Sequence, residues 1–327
     1  MAPVIEKLVD GFEVAESPHW DHKKQCLYFV DFVEGTICKY VPSTKKFSKA
    51  KIGDYNVSLV IPVKDKNNQF VVSLNNSVAI VEWDGESPNV SSVKKLYEVD
   101  VGTPNILTDG KWTMGGTPRT FNELVPENGA LYSFSNNTTT SHRTGVNLSN
   151  GLAFDYKRGK MYYTDTFTFK VDQYDFDINE GTIFADKTIA QPGYSEADLV
   201  THGSYETTPT GVTKIDHRAN MKTIFTITNK EHFCDGMTLD ADGNIWLAVF
   251  ASSRVYQIDP FKPDTVLRTV ELPAAQITSV AFGGPNLDEL YVTSAHFTDR
   301  PTGESPGSIF RVTGLNIKGL PADEFII

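Results

Sequence analysis

Short runs of apolar, aromatic and β-branched residues recur along the whole chain, among them LYFVDF, FVVSL, ALYSF, MYYTDTF, NIWLAVF and ELYVTSA. Clusters of Gly, Pro, Asn and Asp separate them, and runs of this length closed by turn residues predict β-strands. The 3.6-residue periodicity of amphipathic helices is almost absent, with one short helix expected at most, across 195–200. The pattern is that of an all-β chain.

Beneath the strands lies a repeat. ESPHWD at 16–21 precedes an apolar run at 27–31, NGLAFD at 150–155 precedes one at 161–165, and DGMTLD at 235–240 precedes one at 245–249. In each copy a polar residue (Glu16, Asn150, Asp235) stands five positions before an Asp (Asp21, Asp155, Asp240), and a turn and a strand follow. A weaker copy runs through NILTD at 105–109 into 111–114, and two more apolar copies begin near Val57 and Ser279. Six units about 40 to 50 residues apart suit one four-stranded blade each. The expected architecture is therefore an all-β, six-bladed β-propeller with a central channel, one domain over 1–327. The interval from Asn150 to Asp235 is longer than the others and is read as an insertion in the fourth blade, over approximately 190–227. The final strand, 308–313, is expected to pair with 4–9 and leave the ring without an open edge.

Composition and charge narrow the function. With 41 acidic against 30 basic side chains the net charge is -11, which repels nucleic-acid phosphates and anionic membrane surfaces. No apolar run approaches the roughly 20 residues that span a bilayer, and the N-terminal residues carry no signal-peptide stretch, so a cytoplasmic protein is expected. Cys26, Cys38 and Cys234 are few, odd in number and show no C-x-x-C spacing, which argues against disulfides and thiolate metal sites. The expected partner is a small molecule, and the expected state a monomer.

In a propeller the first strand of each blade lines the channel, so residues of one register converge on the axis. Glu16, Asn150 and Asp235 share that register, and Asn105 comes close to it. Two carboxylates and one or two amide oxygens suit a hard divalent cation, Ca²⁺ first, then Mg²⁺ or Mn²⁺, with Zn²⁺ a poorer match in ligand type. Such an ion keeps coordination positions open for water and for an ester or lactone carbonyl, and Asp235 is placed to act as general base. The alternative is structural: Asn150-Gly151 and Asp235-Gly236 are also ordinary turn dipeptides, and Glu16 before Ser17-Pro18 a solvated strand start. Other signals are weaker. GESPG at 303–307 matches the hydrolase pattern around Ser305 but precedes a strand instead of sitting at a strand-to-helix elbow. His19 and His22 read as surface residues, DADG at 240–243 as a turn between blade strands, and His296 as a loop histidine.

ESPHW at 16–20, SNGL at 149–152, DGM at 235–237 and DGNIW at 242–246 resemble the gluconolactonase, regucalcin and luciferin-regenerating-enzyme family. The run TSVAFGGPNLDELYVTSA at 278–295, with VTGL at 312–315 and KG at 318–319, is most similar to its insect luciferin-regenerating members. The resemblance covers nearly the whole chain apart from the insertion. It implies a six-bladed propeller, a divalent metal held by the positions matching Glu16, Asn150 and Asp235, and hydrolysis of sugar lactones with Asp235 as catalytic base.

One departure bears on substrate. Family members usually carry an Arg-x-Asn-Asp-Gly segment whose Arg and Asn contact substrate; here the stretch is TPNILTDGKW at 103–112, several residues shorter. Aligned on Trp112, Asn105 takes the place of the Asn and Thr103 that of the Arg, which makes these two the substrate contacts; aligned on Asp109-Gly110, Thr108 and Ile106 take those places. Either way no guanidinium fork is present to grip a hydroxylated substrate. Three functions stand: a metal-dependent lactonase-type hydrolase acting on a less polar lactone or ester, a non-catalytic metal or small-ligand binding propeller, and a luciferin-regenerating-type enzyme acting on a heteroaromatic compound.

Overall fold

The computed structural model describes residues 2–103, 105–108, 113–115, 127–135, 138–177, 182–183, 206–207, 212–214 and 221–326. The helix expected at 195–200, most of the expected insertion, and Asp109, Gly110 and Trp112 lie outside the described residues.

The strands form six sheets, each running outward from an innermost strand, and together they build an all-β propeller. The innermost strands are Ala15–Asp21, Val60–Pro62, Ile106–Leu107, Ser149–Asp155, Phe233–Leu239 and Ile277–Gly283. Burial is most complete in the second strands and falls toward the outer edge. Cys26–Asp31 and Ile245–Phe250 are buried at every position, whereas the outermost strands Lys46–Lys51 and Val266–Glu271 are mostly exposed. Strands buried on both faces lose strict alternation and become the continuous apolar runs seen in the sequence. An apolar cluster fills each contact between neighbouring sheets, for example Tyr28, Phe70 and Trp83 between the first and second, and Trp246, Phe282 and Phe310 between the fifth and sixth.

Six four-stranded blades with an insertion in the fourth were expected, and the sheets depart from that. Five have a regular antiparallel path of four strands, while the third is irregular. Its innermost strand, Ile106–Leu107, has two residues, and its outer edge is taken by Val212–Lys214, which runs parallel to Thr138–Val146, followed by Glu206–Thr207. The physical reason is local: the third copy of the repeat lacks a full apolar run, and strands from the long interval between Asn150 and Asp235 pair onto the edge that remains. The outermost strand of the fourth sheet, Lys222–Thr226, falls within the range read as inserted and pairs with Lys170–Asp177. Ring closure is as the sequence predicts, with Val4–Asp10 pairing antiparallel to Ser308–Thr313.

The Asp that ends each of the three clear copies of the repeat has a structural task. Asp21 accepts from the Lys24 amide (2.8 Å), Asp155 from the Arg158 amide (3.1 Å), and Asp240 from the Asp242 and Asn244 amides (3.0 and 2.9 Å). Each carboxylate shapes the turn into the next strand. DADG at 240–243 is accordingly a turn, with Gly243 at φ +90°.

Candidate functional site

The polar residue that begins each of the three clear copies sits at a β-bulge, and the copy near Ser279 has one as well. Register shifts fall between Glu16 and His19, Asn150 and Leu152, Cys234 and Met237, and Ile277 and Ser279, the same level of four innermost strands. A bulge inserts one residue and re-aims the side chains beside it. Asn150-Gly151 and Asp235-Gly236 are thus bulges within strands and not turns. The extra residue at 17–18 also changes the parity of the first strand, so His19 is buried in the channel wall and not at the surface, unlike the exposed His22.

The glycines of these bulges allow the innermost strands to meet. A Cβ on Gly151 would lie 2.3 Å from the Asp235 carbonyl oxygen, and one on Gly236 would lie 2.1 Å from Ser279 Oγ. Thr278 Oγ1 donates to the Ala15 carbonyl (2.6 Å), and the Val60 amide donates to Ser17 Oγ (3.1 Å). The strands that carry Asn150 and Asp235 are neighbours, meeting where Gly151 faces the Asp235 carbonyl, and Glu16 stands at the corresponding bulge of the first sheet. Asp235 is 6% exposed, Glu16 and Asn150 are half-buried, and the Ser17 amide donates to Glu16 Oε2.

Between Asn150 and the Cys234 carbonyl, the peptide unit just before Asp235, stands Thr166. Asn150 Nδ2 donates to Thr166 Oγ1 (3.2 Å), and that hydroxyl donates to the Cys234 carbonyl (2.9 Å). Thr166 lies in the short 3₁₀ turn Thr166–Thr168, just after the buried Asp165. Asp165 accepts from the Asn147 and Leu148 amides (3.0 and 3.1 Å) and fixes the segment leading into Asn150. Asp31 does the same for Glu13 and Val14 ahead of Glu16, and burial raises its pKa above the usual carboxylate value. Burial also pushes the Cys234 thiol up to about 12, so this neighbour of Asp235 is protonated at neutral pH and offers no thiolate ligand.

The structure does not bring Asn105 and Thr103 to this level. Asn105 is 3% exposed, and both ends of its amide are committed: Nδ2 donates to Asp100 Oδ2 (2.6 Å) and the Asn128 carbonyl (2.9 Å), and Oδ1 accepts from Asn128 Nδ2 (3.0 Å). Thr103 is exposed and caps the same turn, its hydroxyl donating to the Asp100 carbonyl. Thr108, in contrast, donates to the Ser149 carbonyl, next to Asn150. Ser305 is held in a loop by a hydrogen bond from its backbone N–H to the Pro273 carbonyl, and His296 is exposed.

Over the bulge level lies an aromatic collar. Phe32, Val33, Phe167, Phe169 and Phe297, each half-buried, pack with Phe233 and Phe250 in one cluster drawn from the first, fourth, fifth and sixth sheets. Phe233 packs edge-on to Phe167 (5.7 Å) and stacked on Phe169 (5.5 Å). On the other side of the bulges, the channel widens into a cavity of about 530 Å³ lined by Ile61, Leu152, Phe154, Met237, Val280 and Phe282, among others, and by the C-terminal segment 320–325. That segment is fastened by Tyr156 Oη to Asp323 (2.6 Å), by Lys23 to Glu324 (3.0 Å) and by backbone pairing of Phe325 with Pro62 and Lys64. The cavity does not include Glu16, Asn150 or Asp235. The bulge level separates it from the collar.

The model of the SMP-30/Gluconolactonase/LRE-like region matches residues 14–296. The chain belongs to this family. Regucalcin of Xenopus laevis is 27% identical over 334 residues, covering 97% of this chain and 96% of that protein. A solved luciferin-regenerating enzyme superposes with a TM-score of 0.83 and 34% identity, covering 100% of both chains. A calcium-binding protein, regucalcin, from Agrobacterium tumefaciens str. C58 superposes with a TM-score of 0.76 at 16% identity, covering 98% of this chain and 97% of that one, a likeness of fold. Within this family framework, two features escape a reading of motifs: Thr166 and the aromatic collar. The signal for the first is only an Asp-Thr pair after the strand Lys160–Asp165; for the second it is one or two aromatic residues just past strand ends, Phe32, Phe167 and Phe297.

Proposed function

We propose that this protein is a divalent-metal-dependent hydrolase of the lactonase type, with Glu16, Asn150 and Asp235 holding the ion and Asp235 serving as general base. The observation that supports the reading is the bulge repeated at corresponding positions of three innermost strands, where Glu16, Asn150 and Asp235 stand. Among the described residues no three His, Cys, Asp or Glu side chains group as a metal site; this set has two carboxylates, and its third donor is an amide oxygen. The donors are all oxygen and fit a hard cation, Ca²⁺ ahead of Mg²⁺, Mn²⁺ or Zn²⁺. The calcium binding named for the Agrobacterium regucalcin supports the same choice.

When bound, such an ion polarises a substrate carbonyl and lowers the pKa of its water. Asp235 takes a proton from the attacking water and returns it to the leaving alkoxide as the lactone or ester C–O bond breaks. Asn150, its Nδ2 engaged by Thr166, would have Oδ1 left to hold the ion. The phenylalanine collar receives the rest of the substrate and excludes water. With no arginine in the 103–112 segment and aromatic faces over the site, a weakly polar or aromatic lactone or ester fits better than a polyhydroxylated sugar. The place of the family's Asn then falls to Thr108, beside Ser149, and Asn105 and Thr103 support the third sheet. We read that irregular sheet as one of six blades in a single domain over 1–327, with an insertion over approximately 190–227 in the fourth.

Hydrolysis of sugar, aliphatic and aryl lactones with added Ca²⁺, Mg²⁺ or Mn²⁺, then with excess chelator, tests the reading. Turnover that chelator abolishes and metal restores is expected. Asp235→Ala should lower the rate by at least about 10²-fold and weaken metal binding while circular dichroism is unchanged; a fully active variant would sink the assignment. Metal binding without turnover of any lactone would establish the binding-protein alternative.

A further inference from the structure

We infer that Thr166 is the positioning residue that couples two candidate ligands on neighbouring strands, Asn150 and Asp235, and fixes which end of the Asn150 amide meets the cation. The inference rests on the metal site proposed above. A threonine hydroxyl has one proton to give and lone pairs to receive. In this structure the proton goes to the Cys234 carbonyl at 2.9 Å, in the fifth sheet. What remains on the oxygen is an acceptor, so the Asn150 side chain in the fourth sheet can bond to it only through its NH₂ group, as it does at 3.2 Å. The amide plane then places Oδ1 on the side away from Thr166. One hydroxyl thereby selects the cation-binding end of Asn150 and ties it to the peptide unit directly before Asp235.

The surroundings hold Thr166 to this task. It is 3% exposed, and its amide donates to the Leu148 carbonyl at 2.9 Å, two residues before Asn150. Its backbone lies in the 3₁₀ turn, with Thr168 Oγ1 donating to the Asp165 carbonyl (2.7 Å). Gly151 lets the two strands approach closely enough for a single hydroxyl to span them. Outer partners of this kind orient metal ligands, and their loss typically costs about 10- to 100-fold in metal affinity.

The test uses the full chain with Ca²⁺ and Mn²⁺ as probes in calorimetric titrations of the wild type, Thr166→Val and Thr166→Ser. Valine preserves the volume and removes both hydrogen bonds; serine restores the hydroxyl. The inference expects Thr166→Val to weaken Ca²⁺ and Mn²⁺ binding about 10- to 100-fold and Thr166→Ser to bind within about threefold of wild type. Thermal unfolding in chelator identifies any loss of folded protein, and a Thr166→Val protein that fails to fold shifts the decision to Thr166→Ala at lower temperature, where the same loss is expected. Equal metal affinity in wild type and the hydroxyl-free variant, or loss in both Val and Ser variants alike, overturns the inference and leaves the metal site standing. A wild type that binds neither cation overturns the metal site and the inference together.

Discussion

Some side chains of this protein hold the chain and others are proposed to act at the channel, and a single carboxylate shows the first kind clearly. Asp240 is fully buried and accepts five kinds of donor: the Asp242 and Asn244 amides, Asn244 Nδ2, Trp246 Nε1 (3.0 Å) and Gln257 Nε2 (2.8 Å). A buried carboxylate surrounded by donors is stable because its charge is matched on every side. Asp240→Asn turns an acceptor into an NH₂ group facing Trp246 and Gln257, and should cost about 2–4 kcal/mol. Urea unfolding measures this; lactone turnover per folded molecule should be unchanged, since Asp240 touches none of the bulge residues. The repeat of polar residue and Asp was legible from sequence because both ends of it obey position-specific chemistry. Its two ends do different work, however, and only coordinates separate the Asp that makes a turn from the residue that faces the axis. Asn105 shows the limit. Its place in the pattern suggested a channel residue, but the shortened 103–112 segment draws it into a buried polar knot with Asp100 and Asn128.

At the scale of elements, the bulge is the device that sets four of the innermost strands apart from ordinary ones. Apolar runs predict that strands exist; they do not show where one residue is added, and a bulge reverses which face each following residue occupies. His19 is the example, expected at the surface and found buried against the channel. The two bulge glycines test the device. A Cβ on Gly236 would lie 2.6 Å from Ser279 Cβ and 2.8 Å from Ser279 Cα, so relief requires the backbone of the sixth sheet to move, whereas a rotated Ser279 hydroxyl relieves only the 2.1 Å contact. Gly236→Ala should destabilise the fold by about 1–3 kcal/mol and weaken Ca²⁺ binding, because Asp235 moves with its neighbour. Paired unfolding and calcium titrations check both effects; an alanine variant with unchanged stability would mean that the fifth and sixth innermost strands are free to separate.

At the scale of the molecule, the ring holds together through contacts between neighbouring sheets and through one strand contributed from the far end of the chain. Val4–Asp10 is the outermost strand of the sixth sheet, and it is mostly exposed, with Leu8 and Val9 packing against the cluster around Trp20, Phe29 and Tyr291. Its attachment therefore comes chiefly from the backbone ladder to Ser308–Thr313 and from Arg311, which reaches Glu6 with Nε at 3.1 Å. The cluster joining the first and sixth sheets does not depend on it, since Trp20 stacks on Tyr291 at 5.1 Å from strands nearer the axis. Deleting residues 2–10 should leave the propeller folded and the bulge residues in place, yet lower stability by about 2–4 kcal/mol. It would also bare the Ser308–Thr313 edge, an open template for pairing with another chain. The expected result is metal affinity close to wild type, an earlier unfolding midpoint and concentration-dependent light scattering on warming. Loss of metal binding in a folded, monomeric deletion variant would show instead that the closing strand sets the geometry of the channel, and that the ring transmits strain from its rim to its axis.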